Sequence, residues 1–210
     1  MDRTLDRRRP IAYSLYELAE IAHVEGDLAA ARRLHQDALA VRTELGEKGT
    51  AAESRAALAA LALEEGRAAD AERLARDAIG TFAGQAAPDN EATARATLAL
   101  ALLAQGRTAP ATREIERAQV LVRNPQHVLA RFPVSIAAAR VRGTSNVAAA
   151  LAELESLRAD AAARGIPRYE LEARRAAAEV EGRRSLAAGA TRSAALRRDA
   201  AARGFGLFAR

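Results

Sequence analysis

The sequence predicts an all-α fold, a right-handed solenoid of about five antiparallel helix pairs, and three observations carry that prediction. The first is composition. Alanine makes up roughly a quarter of the 210 residues, and with leucine, arginine and glutamate it dominates the chain; all four are strong helix formers. The second is what is scarce. Half of the residues are hydrophobic, yet only 3 % are aromatic. A β-sandwich or barrel needs more aromatic and β-branched side chains, and a disordered chain carries less apolar content. The third is a repeat: Gly26, Gly66 and Gly106 follow one another at 40-residue intervals, each between two apolar, alanine-rich stretches.

The helices follow from the spacing around those glycines. Leu15, Leu18, Ala19 and Ala22 precede the first, Leu58, Ala59 and Ala62 the second, and Leu98, Ala99 and Leu102 the third. Ala31 and Ala38, Ala71 and Ala78, and Ala111 and Ala118 come after. Steps of 3, 4 and 7 set each group on one helical stripe. Each unit thus reads as helix, tight turn, helix and a longer connection. Glycine serves the turn because it takes positive φ without a steric penalty. Asp27 and Thr108 stand where N-caps are wanted, and the small residues let paired helices approach closely.

Two further units are less regular. Asn124 and Pro125 read as N-cap and first residue of a helix running to about Arg142. Pro133 either kinks that helix or restarts a shorter one. Gly143 marks the turn, and Ser145 or Asn146 caps a second helix to about Arg164. Gly165-Ile166-Pro167 is the next boundary. The fifth unit places Ala173, Ala176, Ala177 and Val180 on its first helix, turns at Arg184-Ser185 and ends near Arg203. The expected layout is a basic segment at 1–10 and one repeat domain at 11–210. Its units are about 11–50, 51–90, 91–123, 124–166 and 167–203, with a tail at 204–210. A terminal unit has no neighbour on one side. The last helix carries Leu186, Ala190, Ala194 and Leu196, so the tail Phe205-Gly206-Leu207-Phe208 is expected to dock on the last pair. The rival is an exposed patch for a partner.

The pattern Leu15-x-x-Leu18-Ala19-x-x-Ala22-x-x-x-Gly26-Asp27-x-x-x-Ala31, with Ala38 seven further on, resembles the tetratricopeptide repeat, whose units are about 34 residues long. The extra residues here are assigned to the connections, such as 44–50 and 82–88. The departures are specific. Ala22 and Ala62 stand where the family has tyrosine, Arg55 and Arg95 where it has tryptophan or leucine, and His35 and Ala75 where it has an aromatic. The C-terminal part, 169–210, is similar to the end of tetratricopeptide regions in bacterial regulators, which follow serine/threonine kinase or winged-helix domains. That resemblance implies a regulator's appendage or a stand-alone relative.

Enzyme constellations are scarce. There is no cysteine, which excludes disulfides, thiolate metal sites and cysteine nucleophiles. His23, His35 and His127 form no paired metal motif, and the single lysine, Lys48, sits in no phosphate loop. Gly204-x-Gly206 reads as a helix stop before the tail. No catalytic residue, cofactor or metal is expected. Residues 1–10 are charged with no apolar stretch behind them, and the longest apolar run, 96–104, is too short for a bilayer. A cytoplasmic chain with no membrane partner, monomeric by preference, is the expectation. Charge is uneven: 13 basic and 17 acidic side chains in 1–105, a net −4, against 19 and 10 in 106–210, a net +9. The basic half and Arg7-Arg8-Arg9 leave a nucleic-acid partner as a minor alternative, testable by its salt dependence.

What remains is surface. First helices of a solenoid line its concave groove, which in the tetratricopeptide family holds a peptide or helix. By register, the groove residues are Tyr13, Tyr16, Glu17, Glu20 and His23; then Glu53, Ala56, Ala60, Leu63 and Glu64; then Thr93, Ala96, Thr97, Leu100 and Leu103. The lysine, asparagine and arginine with which chaperone-binding members clamp a terminal carboxylate are missing from these positions. The sequence therefore reads as a non-catalytic protein-interaction module binding a protein segment in its concave groove. The alternative is a module sensing a small ligand or short peptide.

Overall fold

The structure, a computed structural model, describes residues 3–124 and 128–210, with side chains from Arg8 onward. Pro125 and His127, both used in the sequence reading, lie outside the described residues. Among the described residues there are ten α-helices and no strand. They are α1 (Arg3–Glu25), α2 (Leu28–Glu44), α3 (Lys48–Glu64), α4 (Ala68–Gly84), α5 (Pro88–Ala104), α6 (Thr108–Leu121), α7 (Arg131–Arg142), α8 (Val147–Ala163), α9 (Pro167–Arg184) and α10 (Leu186–Ala202). A 3-10 turn, Val128–Ala130, precedes α7, and another, Gly206–Phe208, ends the chain. Consecutive helices pack as pairs, and consecutive pairs stack, which makes the fold an α-solenoid. The basic segment is not a separate arm. It forms the first turns of α1, where Arg8 pairs with Glu44 at 2.5 Å and Arg9 with Glu47 at 2.6 Å.

From α2 to α5 the backbone repeats a single module, a 17-residue helix followed by a three-residue link. The middle residue of each link has positive φ: Gly46 at 71°, Gly66 at 75°, Ala86 at 51° and Gly106 at 74°, with Gly26 at 85° after α1. The next N–H then reaches back five residues. Asp27 donates to the Ala22 carbonyl at 2.9 Å, Glu47 to Arg42 at 2.9 Å, Arg67 to Ala62 at 2.7 Å, Ala87 to Phe82 at 3.0 Å and Arg107 to Leu102 at 2.9 Å. These bonds occupy last-turn carbonyls that have no partner within the helix. The residues added over the tetratricopeptide length therefore lengthen the helices. The connections expected to be long are three residues, because a turn closed in this way leaves no slack.

The caps are local. The Asp27 carboxylate accepts from Ala30 N at 2.9 Å, the Asn146 side chain from Ala149 N at 3.0 Å, and the Ser185 hydroxyl from Ala188 N at 3.3 Å. Thr108 does not cap. The turn delivers Arg107 to the cap position and leaves Thr108 as the first helical residue. Pro133 sits in the first turn of α7, where its missing N–H has no helical partner to lose. Of the two readings of Pro133, the shorter restarted helix is the one observed.

Alanine sets the spacing between helices. Ala31, Ala38, Ala71, Ala78, Ala111 and Ala118 are all fully buried, which lets backbones approach to the limit of ridge-in-groove packing. Larger side chains, among them Phe82, Leu98, Leu102 and Ile136, fill the spaces between pairs. On α10 the buried positions are Gly189, Leu196 and Ala200; Leu186, Ala190 and Ala194 face solvent. The expected apolar face of that helix is thus narrower than the sequence suggests.

The tail does more than cover the last pair. Leu207 and Phe208 are buried in one apolar cluster with Ala22, Leu28 and Ala31 from the first pair, Leu58 and Leu61 from α3, and Leu171, Leu196 and Ala200 from the last pair. The solenoid has curled until its ends meet, and the tail is the wedge between them. Backbone meets backbone at the contact. A Cβ on Gly206 would lie 1.8 Å from the Glu25 carbonyl oxygen, and one on Gly26 would lie 2.8 Å from the Gly206 carbonyl carbon. Two ion pairs span the same closure: Arg168 to Glu20 at 3.2 Å, and Arg175 to both Glu64 oxygens at 2.6 and 2.8 Å. Arg175 also lies over the Phe208 ring, 5.1 Å from its centroid.

Two outcomes follow for stability. Gly206→Ala should unseat the tail and forfeit burial of Leu207 and Phe208, about 1.5–3 kcal/mol for each side chain. Gly46→Ala, at a positive-φ glycine with open space around it, should cost only about 1–2 kcal/mol of backbone strain. Equal losses for the two variants in denaturant titrations would show that the tail does not hold the ends together. Separately, Ala71→Leu should overpack the α3–α4 contact and destabilise by about 1–3 kcal/mol, and an unchanged melting temperature would contradict the packing register.

Candidate functional site

Closure converts the concave face into an interior. A cavity of about 300 Å³ lies among the first helices of the pairs. Tyr16, Glu20 and His23 reach it from α1, and Glu53, Ala56, Ala57 and Ala60 from α3. Asn90, Thr93, Ala94 and Thr97 come from α5, Pro133 from α7, and Arg168, Tyr169 and Glu172 from α9. Phe82 of α4 completes the lining. Within each helix these residues recur at steps of three and four, so each helix gives one stripe to the chamber.

A polar network runs behind the α1 stripe. Glu20 stands between the two ends of the chain: Oε1 is 3.3 Å from His35 Nε2, and Oε2 accepts from Arg168 at 3.2 Å. Burial pushes the Glu20 carboxyl up, but His35 and Arg168 outweigh it and hold it down at about 2, so it is ionised at neutral pH. His35 is wholly buried, and Tyr16 meets it edge-on with ring centroids 5.0 Å apart. On the Tyr16 ring lies the Arg42 guanidinium, 4.5 Å from the centroid, which donates to the Thr50 carbonyl at 2.7 Å and to Ser54 Oγ at 2.9 Å. Burial, with Glu20 and Glu53 nearby, raises the Tyr16 phenol above its ordinary range, so it stays protonated. Burial, helped by Arg168, lowers His23 to about 4. His23 is therefore a neutral imidazole, and its Nε2 has no hydrogen-bond partner among the described residues.

A second cavity, of about 290 Å³, opens towards the other end of the same helices, between Leu63, Glu64, Leu100, Leu103, Arg140, Arg175, Glu179 and Arg183. Burial raises the Glu64 carboxyl, and the bidentate Arg175 overrides it, so Glu64 sits below its usual range. Arg140 pairs with Glu179 at 2.6 Å. The interior is thus polarised, with more carboxylates than guanidiniums around the first chamber and the reverse around the second.

The residues expected to form the groove divide accordingly. Tyr16, Glu20, His23, Glu53, Ala56, Ala60, Thr93 and Thr97 line the first chamber; Leu63, Glu64, Leu100 and Leu103 line the second. Tyr13 and Glu17 face solvent and line neither chamber, and Ala96 is buried in the helix packing. Arg168, Tyr169 and Glu172 are not among the expected groove residues, because an open solenoid does not bring α9 across to α1. Five arginines of the basic half pair with carboxylates of the same half, which leaves fewer of its guanidiniums unengaged. Arg131 with Asp160, Arg142 with Glu153, Arg158 with Glu155, Arg174 with Asp199 and Arg203 with Glu170 are all paired.

Among the described residues no group of three His, Asp or Glu side chains is placed to hold a metal ion, and no helix is long and apolar enough to cross a membrane. No family model and no curated protein matches the chain. Solved structures do share its fold. Two from Podosopora anserina, both of a putative kinesin light chain with nearly identical TPR-like repeats, superpose over most of their length. One has a TM-score of 0.55 at 19 % identity and covers 94 % of this chain and 96 % of its own. The other has a TM-score of 0.54 at 20 % identity, with 88 % and 93 % covered. At this identity the likeness is one of fold, a solenoid of TPR-like helix pairs.

The chamber makes stability depend on pH with a definite sign. His23 falls from 6.5 to about 4 on folding, so the unfolded chain takes up the proton first as pH drops. Stability is then lost between about 6.5 and 4, by about 3 kcal/mol in all. Glu20, lowered from 4.5 to about 2, contributes stability above 4.5 that disappears as pH falls towards 2. Melting temperature should be flat above pH 6.5 and drop below it, and His23→Gln should flatten the portion above pH 4.5. A wild-type curve already flat between 6.5 and 4.5 would contradict the buried neutral imidazole.

Proposed function

We propose that this chain is a non-catalytic recognition module that binds its partner through the first interior chamber. The observation that carries this reading is the closure itself. It brings Arg168, Tyr169 and Glu172 of α9 opposite Glu20 of α1 and leaves a polar, partly enclosed space between them. The volume, about 300 Å³, lies at the lower end of the range for small-molecule sites. It suits a compact group, such as a free ligand, a side chain or a chain end, better than a length of extended peptide laid along an open groove. Apart from Glu172, the ionisable groups around it are engaged in ion pairs or held neutral, which supports binding over turnover. The likeness of the C-terminal sequence to bacterial regulators supports placing the module within a signalling or transcriptional regulator.

A second reading is favoured by one feature of α1. Ile11, Tyr13, Leu18 and Ile21 are each more than half exposed. Three of them, Ile11, Leu18 and Ile21, share one face at steps of 7 and 3, a stripe of the kind that marks protein contacts. In that reading the module binds a protein on its outer surface.

Ala60→Phe separates the two. The added ring fills the chamber and leaves the outer stripe of α1 untouched. A partner or ligand recovered with the wild type should be lost with Ala60→Phe at an unchanged fold, and should survive Leu18→Ser/Ile21→Ser. Retention by the filled variant, with loss by the α1 double variant, would replace the chamber with the outer stripe.

A further inference from the structure

The chemistry of the first chamber specifies its occupant further. Three carboxylates, Glu20, Glu53 and Glu172, face one guanidinium, Arg168. Counting Arg42, which lies behind Tyr16 and 3.7 Å from Glu53, still leaves an excess of negative charge. The pairing is uneven. Glu20 is held on both oxygens, by His35 and Arg168. Glu172 stands one helical turn after Arg168 on α9 and its charge acts on that guanidinium, but the hydrogen bond of Arg168 goes to Glu20, and among the described residues Glu172 has no direct ion-pair contact. Glu53 has only its long contact to Arg42.

The uncharged groups favour the same kind of ligand. Thr93 donates its hydroxyl proton to the Asp89 carbonyl at 3.0 Å, and Thr97 donates its own to the Thr93 carbonyl at 3.3 Å. Both hydroxyls therefore offer the chamber lone pairs only. Carboxylates likewise only accept. Asn90 and the Tyr16 and Tyr169 hydroxyls can donate as well as accept, so the excess of carboxylates, together with two hydroxyls that can only accept, is what favours a cationic donor. The aromatic faces refine the choice. Tyr16 already carries Arg42 on its ring, and Tyr169 is stacked on Phe132 with centroids 5.2 Å apart. A quaternary ammonium has no N–H to offer these acceptors, whatever ring faces Phe82 and the two tyrosines leave open. A primary ammonium, with three N–H donors on a compact charge, matches both the lone pairs and the space.

We propose that the first chamber binds a primary ammonium group, with Glu172 and Glu53 as its counter-charges and Thr93 and Thr97 as acceptors. The proposal rests on the chamber being the binding site. Two sources offer the same chemistry, a free aliphatic amine and a lysine side chain of a protein segment.

Calorimetric titration of the full chain with diaminobutane and, separately, with a short acetylated peptide carrying one lysine tells the two sources apart. At least one should bind at a single site per chain. Glu172→Gln should weaken that binding by about tenfold or more, as expected for loss of a charge-assisted hydrogen bond, and Ala60→Phe should abolish it. Tetramethylammonium should not compete. Glu53→Gln serves in place of Glu172→Gln if the latter fails to melt cooperatively. Failure of both amines to saturate at millimolar concentration, or equal affinity in the wild type and the charge-neutralised variant, would overturn the proposal. Succinate binding to the wild type but not to Ala60→Phe would leave the chamber as a site and overturn the ammonium. An amine that binds Ala60→Phe as well as the wild type would overturn both.

Discussion

Each of the first five helices ends on a residue held in left-handed backbone, followed by a single N–H that reaches back five residues. These turns fall every 20 residues, at Gly26, Gly46, Gly66, Ala86 and Gly106. Four of the five are glycine, which takes this conformation freely, and the fifth bears a strain of about 1–2 kcal/mol that an alanine incurs there. Because the turns are equally spaced, the helices between them are equally long, about 25 Å at the usual rise. They stack flush, and a residue and its counterpart 40 positions later lie at the same height. The chamber is a product of that register. Where α1 presents Tyr16 and Glu20, α3 presents Ala56 and Ala60, and the volume not filled by the alanines is the space inside.

The register explains what the sequence discloses and what it conceals. The pairs, their turns and the buried alanines are local properties, and the 40-residue interval of Gly26, Gly66 and Gly106 displays them. Gly46, midway between two of those glycines, carries the same information about the connections. It stands at the end of a helix pair, where longer loops are customary, and so its significance is easy to pass over. Ala86 conceals the third such turn, because nothing in an alanine announces positive φ. The α1, α3 and α5 stripes of the chamber are equally legible from helical periodicity. The α9 stripe is not. Arg168 meets Glu20 across 148 positions of sequence, through a curvature that no short segment encodes. Arg42 and His35, which support the α1 stripe from α2, belong to the same class of tertiary information.

Site and closure are physically one feature. Arg168 and Arg175 bridge the ends of the solenoid, and each also borders a chamber. Their charges are tolerated in the interior because each is matched there by a carboxylate, Glu20 or Glu64; removing either partner would strand a charge in a poorly solvated place. An occupant of the first chamber would sit beside Glu20 and Arg168, one of the two pairs that hold the ends together.

The meeting of Gly26 and Gly206 also changes how the chain is assembled in time. An open array of helix pairs grows by nearest-neighbour addition, and every unit can settle as soon as the next one arrives. Here the first pair leaves the ribosome with one apolar side uncovered, and the residues that cover it, Leu207 and Phe208, emerge only after the four pairs that follow. Until they do, the first pair waits in an incomplete state. Completion then comes from a contact between segments far apart in sequence, the slowest kind to form, and it ties the first helix pair to the last.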